Sequence, residues 1–553
     1  MTNKELNVVL AQINPIVGDL QYNTNKIYGI IENHQNADII IFPEMALTGY
    51  PLEDHIHDPL IQQQNKDAIE KIKKLKSRAS IILGTFTESS VIKEKAHPFY
   101  NSALLIQDEE VKDIIHKRLL PDYDIFNERR YFAFGNDFNT SNINGIETGI
   151  LICEDLWDEN YDIKVAKNLV ENGAELLICI NASPYHIGKF EIRRSLVSSK
   201  AKQFSIPIIY LNMVGGLDEI VYDGQSFICD RKGNVVTLMN AFEEDIFECQ
   251  ISIEKSNSAN SINYEPNWRE NVINALKLNL RDYFNKSQIF NGIVLGLSGG
   301  IDSAFTAYIC AQAIGAEKVN AIMMPTRFTS QESRDLAKKL CETIEINYRI
   351  HHIDSLFENY RINITDNLGP VKFDIADENL QARIRATLLM YYSNKYNWLL
   401  VSTGNKSEIG VGYCTLYGDT DGGKNVPGDL FKSQIYELVK WINKDNEIIP
   451  QGIISRPPTA ELRKNQKDSD SIPPYEILDQ ILEEIIQNGI GSKMEHLLEK
   501  KVDLNSINKV KRLYLNSEYK RRQLVQTIKV SESAFGIGRR YPVLKHLRFD
   551  NLN

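Results

Sequence analysis

Along the first half of the chain, short runs of near-continuous apolar residues alternate with stretches whose apolar positions recur at helical spacing. Residues 6–12, 38–42, 80–84, 149–153, 176–180 and 207–211 are such runs. Their lack of alternation predicts strands covered on both faces. Within 66–78, Ala68, Ile69, Ile72 and Leu75 fall at helical spacing with lysines elsewhere, which reads as a helix with a solvated face. From 254 to 266 the periodicity disappears, and 256–261 is rich in Ser and Asn, as expected of a linker. A new pattern follows: a helix over 268–284, a strand over 292–297, a glycine turn and helix, then a strand over 319–323. Strands alternating with helices predict a mostly parallel sheet. The expected organisation is a unit over 1–253, a linker over 254–266 and a second unit over 267–553, with no internal repeat.

Composition narrows the class. The 553 residues are 42% hydrophobic and 25% charged, an average soluble globular balance that argues against disorder or a fibrous chain. The net charge of −10 disfavours a nucleic-acid coat. No apolar run approaches the ~18 residues needed to span a bilayer, and the N-terminus lacks a signal-peptide pattern. The seven cysteines are scattered and form no C-x-x-C pair, so neither a zinc site nor a disulfide framework is signalled. His55 and His57 have no acidic partners in pattern and read as a loop feature. These features predict a cytoplasmic protein with no membrane or nucleic-acid partner.

In the second half, Ser298-Gly299-Gly300-Ile301-Asp302-Ser303 follows a predicted strand and opens a predicted helix. Glycines let the backbone approach a phosphate, and amides at the helix start point at the anion. Ser298 and Ser303 add hydroxyl donors, while Asp302 suits magnesium. The Walker pattern is absent. The string, with Gly296 and Leu297 before it, resembles the loop of the ATP-pyrophosphatase superfamily, whose members cleave ATP between the α- and β-phosphates and adenylate a substrate. Further strings follow in order: Asp377-Glu378-Asn379-Leu380-Gln381-Ala382-Arg383-Ile384-Arg385, Ser402-Thr403-Gly404-Asn405-Lys406-Ser407-Glu408, Tyr417-Gly418-Asp419, Asp429-Leu430-Phe431-Lys432, Ala460-Glu461-Leu462, Ile472-Pro473-Pro474-Tyr475 and Tyr519-Lys520-Arg521-Arg522. Together they resemble the NAD synthetases over 268–545. That resemblance implies a doubly wound parallel sheet and an ATP site of Gly296, Leu297, Ser298, Gly299, Gly300, Ile301, Asp302, Ser303 and Thr403. It also implies magnesium at Asp302 and Glu408, and deamido-NAD contacts from Asn379, Glu408 and Lys520. Lys432 is a candidate for neutralising the transferring phosphate. The chain departs from the usual pattern at Thr459, Lys464, Gly428 and Ser433, none of them a charged group the chemistry requires.

An amidating enzyme needs ammonia, which is scarce at neutral pH because it is mostly protonated. The first half carries pieces suited to releasing it. Glu44 lies in Phe42-Pro43-Glu44-Met45, Lys117 in His116-Lys117-Arg118, and Cys153 in Ile152-Cys153-Glu154-Asp155. A thiolate is a good nucleophile and a nearby ammonium is expected to lower its pKa. A carboxylate can accept and return its proton, and the ammonium with the amide after Cys153 can stabilise an oxyanion. The bland reading of Cys153 is a core thiol at a strand end, as for Cys179. The order Glu, Lys, Cys resembles the nitrilase, or carbon–nitrogen hydrolase, superfamily over residues 6–250. That resemblance implies an α-β-β-α sandwich and places Tyr123, Ser183 and Lys189 at the glutamine substrate. Glu128 would orient Lys117.

The two resemblances together imply a glutaminase fused to an adenylating synthetase, converting deamido-NAD, ATP and glutamine into NAD, AMP, pyrophosphate and glutamate. They also imply a homo-oligomer built on a dimer of synthetase domains. Two alternatives are an amidotransferase for another nucleotide acceptor and a catalytically inactive nucleotide-binding regulator. Cys153, Glu44 and Asp302 are all present, which counts against decay.

Overall fold

The structure, a computed structural model, describes residues 4–89, 98–256 and 261–545. Positions 257–260 of the expected linker, and the ends of both expected units at 1–3 and 546–553, lie outside the described residues. The chain forms two units: Met1–Gly215 with Val221–Asn267, and Gly216–Ile220 with Trp268–Asn553.

The first unit is an α-β-β-α sandwich. One sheet contains β1 (Glu5–Gln12), β2 (Ile39–Ile41), β3 (Ser80–Glu88), β4 (Phe99–Gln107) and β5 (Glu110–His116). The other contains β6 (Ser141–Ile143), β7 (Ile146–Ile152), β8 (Leu176–Asn181) and β9 (Ile208–Asn212). A short hairpin, β10 (Val214–Leu217) and β11 (Ile220–Asp223), precedes β12 (Phe227–Cys229), β13 (Val235–Leu238) and β14 (Asp245–Ser252). The strand orders are β14-β1-β2-β3-β4-β5 and β13-β12-β9-β8-β7-β6. The apolar runs owe their continuity to this layering. Val8 and Leu10 face the core between the sheets with Ile150 and Ile152. Their neighbours Val9 and Ala11 face outward onto Ile27 of α1 (Leu20–Asn33) and Ala68 of α2 (Pro59–Lys73). On the opposite surface, Leu151 and Leu177 pack beneath Leu169 of α3 (Val165–Glu171) and Val197 of α4 (Lys189–Phe204). Helix α2 starts earlier than its periodicity indicates because Asp58 caps it, accepting the Leu60 N–H at 2.9 Å, with Pro59 in the first turn.

The second unit holds a five-stranded sheet in the order β17-β16-β15-β18-β19, parallel throughout. These are β15 (Gly292–Gly296), β16 (Val319–Met323), β17 (Asn347–Ile350), β18 (Trp398–Ser402) and β19 (Lys424–Asn425). Helix α5 (Trp268–Ser287) leads in, and α6 (Ile301–Ile314) follows the glycine turn. Then come α7 (Gln331–Thr343), α8 (Asp354–Leu368) and α9 (Ile375–Tyr396), whose Phe357, Ile384 and Leu389 cover Val294, Ile322 and Leu400 of the sheet. Helices α10 (Lys406–Val411) and α11 (Lys432–Ile442) lie C-terminal to β18. The order reverses between β15 and β18, and the carboxyl ends of strands at such a switch point are where open α/β sheets bind ligands. Among the described residues no helix is long and apolar enough to cross a membrane.

Candidate active sites

In the first unit, three separated motifs converge on one buried cluster. Glu44 follows β2, on a stretch that β3 passes closely at Gly84: a Cβ there would lie 2.1 Å from the Pro43 carbonyl oxygen and 2.7 Å from the Glu44 Cα. Lys117 follows β5, its N–H donating to the Asn101 carbonyl at 2.8 Å. Its Nζ donates to Glu44 Oε1 and to Glu128 Oε1, both at 2.8 Å, with all three side chains 1–2% exposed. Asn101 Nδ2 donates to the same Glu44 oxygen at 2.7 Å, and the Ala182 N–H donates to Glu44 Oε2 at 2.7 Å. Tyr50 donates to Glu128 Oε1 at 2.8 Å. Burial alone would lower the Lys117 pKa, but Glu128 and Glu44 outweigh it and hold the ammonium charged.

Strand β7 ends at Ile152, and Cys153 opens a tight turn, Cys153–Leu156, at φ 46°. A side-chain-bearing residue in that left-handed region costs about 1–3 kcal/mol and persists only where its surroundings fix it. The thiol differs from the expectation of a depressed pKa. Burial pushes it well above its ordinary value and the Glu44 charge adds to this, while Lys117 opposes them without prevailing. Burial and the Glu44 charge thus both favour the neutral thiol of Cys153.

Around Cys153 the residues expected to hold glutamine divide into two groups. Tyr123, 54% exposed, donates to both oxygens of Glu154 at 3.1 Å, and Tyr161 donates to Glu154 Oε1 at 2.9 Å. Lys189, the first residue of α4, lies half-buried with Nζ 4.2 Å from the Trp157 ring centre. Ser183 is buried; its Oγ accepts from Arg193 Nε at 3.1 Å and its carbonyl from Arg193 Nη2 at 2.7 Å. Arg193 in turn is paired with Asp223 at 2.7 and 2.9 Å. Trp157, Tyr161 and Arg193 carry no sequence pattern of their own. Glu154 was signalled by its place directly after Cys153.

In the second unit a cavity of about 300 Å³ opens at the carboxyl ends of β15 and β18. Gly296, Leu297, Ser298, Gly300, Ile301, Asp302 and Ser303 line it, with Thr403 and Glu408. Gly299 does not line it. At φ 81°, with a Cβ position only 2.5 Å from the Ser333 carbonyl oxygen, Gly299 lets the loop pass α7. Ser298 Oγ accepts the Gly300 N–H at 3.2 Å and lies 3.1 Å from Ser303 Oγ. Lys432 Nζ is hydrogen-bonded to Asp302 Oδ2 and lies 3.5 Å from Glu408 Oε1. Tyr475 bridges Glu408 and Asp468 through donations at 3.1 and 2.9 Å. Burial pushes the Glu408 carboxyl up, against the pull of Lys432.

Among the described residues no group of three or more His, Cys, Asp or Glu is arranged as a metal cage. Magnesium requires less: one or two carboxylates, the rest of its octahedron coming from phosphates and water. Asp302 and Glu408, both turned to the cavity and balanced by one lysine, fit that donor set. Asn379 and Lys520 are not among the cavity-lining residues. Asn379 Oδ1 accepts from Thr415 at 2.8 Å, and Lys520 Nζ donates to the carbonyls of Gly412 and Cys414 at 2.7 Å each, so both hold the loop 412–419. Arg385, Arg456 and Glu461 line the cavity and had no assigned role in the sequence.

Residues 7–260 match the carbon-nitrogen hydrolase family and residues 272–524 the NAD synthase family. A glutamine-dependent NAD(+) synthetase of Acinetobacter baylyi is 38% identical, covering 99% of this chain and 100% of its own. One from a Synechocystis strain is 36% identical, covering 97% and 98%. A solved glutamine-dependent NAD+ synthetase from Acinetobacter baumannii, in complex with ADP, superposes with a TM-score of 0.77 at 35% identity, covering 98% of each chain.

Proposed function

Because the chain belongs to the glutamine-dependent NAD(+) synthetase family, we propose that its two units divide one reaction, glutamine being opened at Cys153 and deamido-NAD amidated beside Asp302. The overall activity is glutamine-hydrolysing, ATP-dependent NAD synthesis. The geometry that supports the first half-reaction best is the buried Lys117 held between Glu44 and Glu128 beside Cys153 in its left-handed turn.

Glu44 removes the thiol proton as Sγ attacks the glutamine carboxamide carbon. Lys117 and the Glu154 N–H receive the oxyanion of the tetrahedral intermediate. Glu44 returns the proton to the amide nitrogen as the intermediate collapses, so that nitrogen leaves as neutral ammonia and a γ-glutamyl thioester remains, which water then hydrolyses with Glu44 as base. Glu128 keeps Lys117 aimed. Tyr123, Ser183 and Lys189 hold the substrate's amine and carboxylate, with Lys189 supplying charge. In the second unit the amides opening α6 and the hydroxyls of Ser298 and Ser303 cradle ATP phosphates, with Thr403 at the nucleotide. The deamido-NAD carboxylate attacks the α-phosphorus, pyrophosphate leaves, and Lys432 neutralises the charge in transit. Ammonia then displaces AMP. Bound by Asp302 and Glu408, magnesium would supply further neutralisation of the phosphates. Asn379, Glu408 and Lys520 are assigned to deamido-NAD, Asn379 and Lys520 acting through the loop 412–419.

A homo-oligomer built on the second unit is supported by Tyr360, Ile362, Leu368, Ile375 and Tyr391 on α8 and α9, all more than half exposed. ATP and a dinucleotide as substrates support a cytoplasmic location. The net charge of −10 supports small molecules over nucleic acid as partners.

The test supplies glutamine labelled with ¹⁵N in its amide, together with ATP, magnesium and deamido-NAD. The label is expected in the nicotinamide group. Cys153→Ala is expected to stop that transfer while NAD synthesis from added ammonia continues. Label that stays in free ammonium or enters another nucleotide acceptor would refute the assignment.

A further inference from the structure

Asp155 is fully buried two residues beyond the nucleophile, and its hydrogen bonds go to the scaffold on both sides of the first site. Its Oδ1 accepts the N–H groups of Arg118 at 2.8 Å and Leu119 at 2.9 Å, the two residues directly after Lys117. Its Oδ2 accepts the N–H of Ile152 at 3.2 Å, the residue directly before Cys153, and faces Arg118 Nη1 at 3.4 Å. Arg118 extends the tie, with Nη1 donating to the Ile150 carbonyl and Nε to the Asp137 carbonyl, both at 2.9 Å. One carboxylate thus joins the chain leaving the lysine to the chain entering the cysteine.

We propose that Asp155 is a positioning residue that sets the separation and orientation of Cys153 and Lys117, and thereby holds the nucleophile's turn in its left-handed conformation. The inference rests on Cys153 being the nucleophile and Lys117 an oxyanion donor. The residue type follows from the donors. N–H groups approach both oxygens, and only a carboxylate accepts at both; an amide would set its own NH₂ against one pair. Charge-assisted bonds to backbone amides are also shorter and stiffer than neutral ones. The buried thiol has no freedom to compensate for a misplaced lysine, so a slack tie is felt in the chemical step and not in glutamine binding.

The experiment compares full-length Asp155→Asn with wild type in three assays: glutamate release, NAD synthesis from ammonia, and the rate of Cys153 alkylation by iodoacetamide as a function of pH. The glutaminase kcat is expected to fall about 100-fold. The glutamine KM should stay within about threefold, the mark of an interaction felt only in the transition state. The alkylation profile should shift, and ammonia-dependent synthesis should stay at the wild-type level. A glutaminase kcat close to wild type, a loss confined to KM, or a parallel loss of both activities would each overturn the proposal. Cys153→Ala run alongside keeps the two readings apart: residual glutaminase there would refute the nucleophile itself, whatever Asp155→Asn does. Should Asp155→Asn not yield soluble protein, Arg118→Lys decides, because it keeps the backbone N–H groups on Asp155 and alters only the side-chain arm. Its kcat is expected within about tenfold of wild type. A loss as deep as that of Cys153→Ala would place the effect in the guanidinium and overturn the carboxylate tie.

Discussion

Lys189 stands over the Trp157 ring with its pKa lowered to about 8, chiefly by burial and next by the Arg193 charge, while Cys153 and Glu154 pull the other way. A lysine with that pKa carries its charge below about pH 8 and loses it above. If the charge grips the glutamine carboxylate, kcat/KM for glutamate release, which reports the free enzyme, should decline as pH rises through about 8. Lys189→Arg should hold the value flat to higher pH, since a guanidinium stays protonated. A profile identical in both proteins would remove Lys189 from the substrate. At this scale the sequence is legible where residue types suited to the proposed chemistry stand in a recognisable motif, as with Glu44, Lys117, Cys153 and Asp302. It is opaque where a side chain serves the backbone of a distant segment. Asp155, whose partners are N–H groups at 118, 119 and 152, and Lys520, whose partners are the carbonyls of 412 and 414, belong to that second kind. The thiol pKa is opaque for a related reason: Lys117 lowers it as its motif implies, but burial raises it, and burial is a property of the fold and not of the motif.

Strand β3 reaches the first site without giving it a side chain. Its Gly84 lets the sheet run against the stretch bearing Glu44, and a Cβ there would meet the Met45 nitrogen at 2.6 Å as well as the Pro43 oxygen. Backbone cannot yield as a flexible side chain would. Gly84→Ala is expected to cost about 1–3 kcal/mol in denaturant unfolding, as overpacking does. Glutamate release should fall about 10- to 100-fold because Glu44 is displaced. Gly29→Ala is the control: Gly29 lies in α1 with nothing within 4 Å of the added methyl, and is expected to gain about 0.5–1 kcal/mol and keep full activity. Equal behaviour of the two variants would refute the close approach. Among elements, most central strands are legible because covering both faces leaves an unbroken apolar run; β4, whose run is broken by Asn101 and Ser102, and the three-residue β12 are interior strands that the sequence did not signal. Edge strands are not legible. In β5 the sequence Glu110-Val111-Lys112-Asp113 is exposed or partly so, and polar enough to read as loop. Strand β17 is likewise mostly exposed.

Across the whole molecule, the two chemistries are carried by separate stretches of sequence, and each family pattern stays within its own half. That is why the division of labour was readable without coordinates, whereas Arg456, which joins the cavity of the second unit from the segment beyond α11, was not, and Arg385 and Glu461 stood in family strings without a role. The division has a consequence that a single-site enzyme would not share. Asp302, in the first turn of α6, faces Asn405 Nδ2 at 3.2 Å through one oxygen and Lys432 through the other, and the proposed reaction needs it for ATP whichever ammonia source is used. Asp302→Asn keeps the shape and removes the charge. It leaves Lys432 with a weaker partner and takes one of the two carboxylates from any magnesium. NAD synthesis should fall about 100-fold or more with glutamine and with ammonia alike, as when a preorganised electrostatic group is lost. The glutamine hydrolysis of the first unit, followed as glutamate release without deamido-NAD, should persist, the reverse of Cys153→Ala. A variant that makes NAD normally from ammonia would show that Asp302 stands outside the phosphate site and that the cavity beside it serves another purpose.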